Sequence, residues 1–314
     1  MSFEINVDHS QSSPVITLKD HISGAEAVVF AFGGLLNAFK IPVGDQLVNA
    51  VSGFDSVNDA IENISKGFKS AKLSPFVCRM NLGKYSWNDD DFTIQKFFFK
   101  GHAIHGLLFD AIYAVHNTRT SLEQASVELR YAYPGSDDGY PFPFLVQIKW
   151  ILETGNRLKV ETSITNASPA AIPLSDGWHP YFTLGASIDD CSLEFSSNQQ
   201  LEFNADLLPT GKLIIDDRFV KGGLMKGIFL DNCFAFDQNH QHHYCKLSNS
   251  VLELLIEPDS NYPYLQIYTP PSRDMIAIEN LSSAPDAFNN KMGLLSLEPH
   301  AVADFNTTYT LKAK

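Results

Sequence analysis

The chain has 314 residues, 44% of them apolar, with 23 Lys and Arg against 36 Asp and Glu, a formal charge of −13. This composition excludes a disordered, collagen-like or low-complexity protein, and the net charge repels a phosphate backbone and so argues against nucleic acid as a partner. No apolar run reaches the roughly 20 residues that cross a bilayer, and a chain this long buries about three quarters of its extended surface on folding.

The opening MSFEINVDHS lacks the basic-then-apolar pattern of a secretory leader, so the expected location is the cytoplasm. There Cys78, Cys191, Cys233 and Cys245, which form no CxxC, are expected as reduced, small apolar residues and not as a zinc site.

Strand signals dominate along the chain. Residues 26–33 form a β-branched and aromatic run closed by Gly33-Gly34. Ser56–Ile64 is the best helix candidate, with Ser56 as its cap. Residues 143–152 and Leu158–Thr165 alternate around a turn at Glu153-Thr154-Gly155-Asn156, which predicts a hairpin. Leu252–Glu257, Tyr264–Thr269 and Ile276–Glu279 are further strand-like runs with Pro or Gly nearby. Turn signals recur every 8–15 residues or so, and no linker or internal repeat is evident. The expectation is all-β: one large, mostly antiparallel domain spanning residues 1–314.

Several familiar motifs are absent or unconvincing. Gly33-Gly34 is no dinucleotide fingerprint, and Gly135-Ser136-Asp137-Asp138-Gly139 reads as a polar turn and not as a nucleophile elbow. His240, His242 and His243 sit among Asp237, Gln238, Asn239 and Gln241, which favours a solvated loop over a metal site. His102 and His105 form an HxxH pair, but residues three apart on a strand point to opposite faces. One of the two is expected in a cleft and the other elsewhere.

Several separated pieces, in order, resemble the aldose 1-epimerase (galactose mutarotase-like) family. Ser74-Pro75-Phe76-Val77-Cys78-Arg79 is similar to its Pro-x-x-Asn-Arg stretch, with Cys78 where the family has Asn. Gly83-Lys84-Tyr85 and His105-Gly106 follow, and Asp176-Gly177-Trp178-His179-Pro180-Tyr181-Phe182 is the sharpest match. Leu230–Phe234, Leu265–Pro270, and Ile278-Glu279 with Ala284–Asn289 complete the series. The resemblance runs from about residue 15 to 311 and implies a β-supersandwich that interconverts sugar anomers.

That reaction opens a hemiacetal, rotates about C1–C2 and closes on the other face. It needs a base at O1 and an acid at the ring oxygen, roles that suit a carboxylate and an imidazole and require no cofactor. By resemblance, Glu279 is the base and His179 the acid, with His105 assisting on the ring-oxygen side. Arg79 donates to hydroxyls, Asp231 accepts from them, and Gln266 is a neutral contact. Bland readings stand beside these: a satisfied core histidine for His179, a structural ion pair for Arg79, and a plain turn for Asp231. Trp178 and Phe288 either wall the site or pack in the core.

The expected partner is a small free monosaccharide such as galactose or glucose, and the expected assembly a monomer or weak homodimer. A hexose 6-phosphate mutarotase is the nearest alternative, weakened because Leu107 and not Arg follows His105-Gly106. A non-catalytic sugar sensor is the second alternative. A glycosidase ranks lower, since it would need two carboxylates flanking the bond.

Overall fold

The longest alternating segments of the sequence become the longest strands of an antiparallel sheet. The computed structural model describes residues 2–237 and 242–314. The expected hairpin forms from Phe144–Glu153 and Arg157–Asn166, in register from Phe144 opposite Asn166 to Glu153 opposite Arg157. Every second residue of the latter strand is buried, as strict alternation on a half-buried sheet requires. These strands belong to a nine-stranded sheet that also takes in Val302–Ala313, Leu252–Pro258 and Cys245–Ser248.

The N-terminal segment builds a five-stranded meander from Phe3–Asp8 to Gln46–Asn49. The run at residues 26–33 is a strand only over Glu26–Phe30. It ends before Gly33 and Gly34, both at positive φ, and a Cβ on Gly33 would lie 2.9 Å from the Phe109 carbonyl oxygen. The short helix is present at Val57–Asn63, with Ser56 Oγ accepting the Asp59 N–H at 3.1 Å. A single 3₁₀ turn, Ile64–Lys66, then leads into Phe68.

An eight-stranded sheet collects the shorter segments: Pro209–Ile215, Gln199–Phe203, Asp231–Ala235, Tyr264–Tyr268, Ile276–Leu281, Gly177–His179 and Ala71–Leu73 in that order, with Tyr181–Phe182 beside Ile276. Its side chains alternate between two faces. Trp178, Phe182 and Phe234 point to one, where they meet Trp150, Tyr309 and Phe195 of the nine-stranded sheet at centroid distances of 5.5, 5.7 and 4.7 Å. The two sheets therefore pack face to face and enclose the main core, giving the antiparallel supersandwich expected from the sequence. The other face of the eight-stranded sheet remains available for a site.

All four cysteines are buried and free. Among the described residues, no helix is long and apolar enough to cross a membrane.

Candidate active site

Strand register decides which polar side chains meet. The pairs Gly177–Leu281 and Tyr181–Ala277 bracket His179 and Glu279, so these two residues lie opposite each other on adjacent strands. Both point away from the main core, and His179 Nε2 lies 3.3 Å from Glu279 Oε1. Ala71 flanks His179 on one side of this row, while Gln266 and then Cys233 continue it beyond Glu279. A second row on the same face carries Tyr181, Tyr268 and Asp231. Gln266 Nε2 donates to Asp231 Oδ1 at 3.0 Å, which ties the two rows together.

Loops complete a cavity of about 350 Å³ over this floor. His105 arrives at the end of the His102–Ile104 strand in the left-handed region, φ 63°, with its N–H donating to the Cys78 carbonyl at 2.8 Å. Its ring stands edge-on to His179 at 4.8 Å and lies 4.5 Å from Phe68. Gly106 has to be glycine, because a Cβ there would fall 2.4 Å from the Ser74 carbonyl oxygen. Cys78 brings its Sγ to 4.0 Å from Glu279 Oε2. Arg79 is half-buried, holds its guanidinium 5.5 Å from the centre of the Phe99 ring, and forms no ion pair among the described residues. Lys66 and Lys100 stand exposed on the lining.

Burial sets the electrostatics. It pushes the Glu279 carboxyl well above the usual carboxylate range, with the nearby Asp231 charge adding to the shift. It lowers His179 to about 4, and His105 well below the ordinary histidine value, helped by His179 and Arg79. Asp231 is also raised by burial, against the pull of Arg79 and Lys100. Burial thus favours the neutral form of each group, with His179 Nε2 and Glu279 Oε1 in near contact.

All six residues singled out from the sequence, His179, Glu279, His105, Arg79, Asp231 and Gln266, line this one cavity. His102 does not; it accepts the Leu82 N–H through Nδ1 at 3.2 Å, so the two histidines of HxxH do part company. Asp231 begins a strand and is not a turn. Trp178 and Phe288 do not line the cavity: Trp178 packs on Trp150, and Phe288 packs on Tyr85 at 4.9 Å. His240 lies outside the described residues. His243 departs from the solvated-loop expectation, being buried and stacked on Phe236 at 4.6 Å. Among the described residues, no group of three His, Cys, Asp or Glu is arranged to hold a metal.

Sequence reasoning missed several lining residues. Tyr181 was within reach, since it follows His179 by two on an extended segment and must share its face. Phe68, Lys66 and Lys100 come from the turn after the helix and from the loop before His102, and no local pattern marks them.

Comparison with known proteins bears on the family and the fold. Residues 14–310 match the family model for aldose 1-epimerase. An uncharacterised Escherichia coli protein, YihR, is 28% identical over 212 residues, which cover 63% of this chain and 65% of that one, so the match spans less than two thirds of that relative. A galactose mutarotase-like protein of Clostridium acetobutylicum superposes with a TM-score of 0.85 at 19% identity, covering 99% of this chain and 98% of that one. A galactose 1-epimerase of Lactobacillus acidophilus gives 0.82 at 17%, covering 99% and 98%. At these identities the structures speak to the fold, and the family model carries the membership: this chain belongs to the aldose 1-epimerase family.

Proposed function

We propose that the cavity takes a free hexose in its ring form and interconverts its α and β anomers. The observation that carries this reading is the contact of His179 with Glu279, 3.3 Å apart on the floor of the cavity. With the shared proton on His179, the Glu279 carboxylate removes the O1 proton while the imidazolium protonates the ring oxygen and the C1–O bond breaks. The open aldehyde rotates about C1–C2, and the reverse transfers close the ring with inverted configuration. Neither group gains or loses a proton over the cycle, and no electrons leave the sugar. Low polarity around the pair supports both steps, because burial makes the Glu279 carboxylate a stronger base and the His179 imidazolium a stronger acid than either is in water. Asp231 with Gln266 accepts and donates at the sugar hydroxyls, Arg79 donates to them as well, and His105 packs against His179 on the ring-oxygen side. Simple sugar sensing leaves this acid–base pair without a task, which ranks a non-catalytic protein lower.

A second reading has its own support. Lys66 and Lys100 line the cavity and form no direct ion pair among the described residues, so a hexose 6-phosphate is an electrostatically reasonable substrate despite Leu107 after His105-Gly106. Polarimetry of freshly dissolved α-D-galactose and α-D-glucose, with glucose 6-phosphate in a coupled anomer assay, separates the readings. Acceleration on a free hexose is expected. Acceleration confined to the phosphate ester would replace the first reading by the second, and no acceleration by a folded, sugar-binding protein would favour the sensor.

A further inference from the structure

Behind the strand that carries His179 lies a charged pair with no part in the scheme above. Lys72 and Asp176 are both fully buried and form an ion pair on the core face of the eight-stranded sheet. Lys72 Nζ also donates to the Gly177 carbonyl at 3.3 Å and sits 4.4 Å from the centre of the Trp178 ring, so it touches each of the three residues that precede His179. Asp176 Oδ2 accepts a second hydrogen bond from the Tyr262 hydroxyl at 2.7 Å. The main chain at Asp176 is tied to Ser282: its N–H donates to Ser282 Oγ, and its carbonyl accepts the Ser282 N–H, both at 2.8 Å. Ser282 stands three residues beyond Glu279, as Asp176 stands three before His179.

Two physical points make this placement informative. A buried ion pair is poor value as a stabiliser, since apolar residues of similar volume usually do as well. Its presence in an otherwise apolar layer calls for another role. The second point concerns His179. Histidines that move protons are usually aimed by a hydrogen bond at the second ring nitrogen. His179 Nδ1 is buried and has no such partner among the described residues. Its aim therefore depends on where its strand is held.

We infer that Lys72 and Asp176 are positioning residues, which fix the Asp176–His179 segment against the Glu279 strand and so set the distance and angle between His179 and Glu279. Lys72 belongs to the strand on one side of His179, where it pairs with Trp178, and Ser282 continues the strand on the other. The pair thus spans the three strands whose relative placement determines the acid–base contact. This inference rests on the proposed reaction for its kinetic consequence, but not for its geometric one.

The test is the triple variant Lys72→Met, Asp176→Leu, Tyr262→Phe, which removes both charges and the hydroxyl together and leaves no buried charge unpaired. A misplacement of about 1 Å at a reacting group costs up to about 100-fold, so kcat is expected to fall about 10- to 100-fold with KM nearly unchanged and thermal stability close to that of the parent. The His179 ring protons, assigned by comparison with His179→Asn, are expected to titrate at a different midpoint from the parent. Wild-type kcat together with a wild-type His179 titration in a folded triple variant overturns the inference. A loss of activity that merely tracks the folded fraction overturns it as well. Should the triple variant not fold, Tyr262→Phe alone keeps the ion pair and removes one restraint; a smaller fall in kcat at constant KM supports the inference, and no change in kcat or His179 titration contradicts it. If the parent protein accelerates no sugar, the functional reading fails, while the His179 titration still reports on the pair.

Discussion

The two faces of the eight-stranded sheet are made by alternate residues of the same strands, yet they do opposite things. On the core face, Trp178, Phe182, Phe234, Ile267 and Ile278 are buried against the nine-stranded sheet. On the cavity face, one residue along in each case, stand His179, Tyr181, Cys233, Gln266 and Glu279. The comparison shows how a site can hold buried ionisable groups at all. Keeping a carboxyl and an imidazole in a low-polarity cavity is unfavourable, and the apolar layer one residue away supplies the stability that offsets it. It also keeps the floor rigid, so that the acid–base distance is a property of strand register and not of side-chain chance.

This contrast can be broken from either side, and the largest effect on folding comes from the core face. Phe234→Ala removes a fully buried ring that packs on Phe195 and is expected to lower stability by about 3–5 kcal/mol in chemical denaturation. The remaining folded molecules should turn over near the parent rate. Asp231→Asn acts from the other face. It keeps the shape and the Gln266 neighbour but removes a charged acceptor, so KM is expected to rise about tenfold or more, kcat to change little, and stability to hold. A kcat loss at unchanged KM would instead place Asp231 in the chemistry.

The subtlest probe is pH. As pH falls through about 4, His179 takes up a proton while the raised Glu279 already holds one, and the doubly protonated pair has no base. As pH rises far enough, the pair loses its single proton and has no acid. The rate of the free enzyme is expected to follow a bell whose acid midpoint lies near 4. An acid midpoint near 6.5, the ordinary histidine value, would contradict the buried, low-polarity account.

Much of the fold was legible because its long strands alternate. Leu158–Thr165 and Leu252–Glu257 fall within strands Arg157–Asn166 and Leu252–Pro258, and Ser56 caps the helix it was expected to cap. The six candidate site residues, which line one cavity, were singled out through resemblance, since nothing local says that His179 and Glu279 are cross-strand neighbours. That fact lies in the register between segments a hundred residues apart, and the strands involved, Gly177–His179 and Tyr181–Phe182, are too short to show a period. Trp178 is instructive, because an extended segment must turn it away from whatever His179 faces. Lys72 and Asp176 were illegible for the same reason as the site. They sit 104 residues apart, and neither neighbourhood reveals that the other charge is beside it. His243 was misread because the polar run around it hid the Phe236 ring on which it stacks.

The most direct test of the account is Glu279→Gln, with sugar affinity measured by calorimetry and turnover by polarimetry on the same preparation. The amide keeps the shape of the side chain and its place opposite His179 but cannot take the O1 proton. Affinity within a few-fold of the parent with kcat lowered by about 10²- to 10⁴-fold is the predicted result. Undiminished turnover in a variant that binds sugar normally would remove Glu279 as the base and, with it, the His179–Glu279 pair as the centre of the reaction.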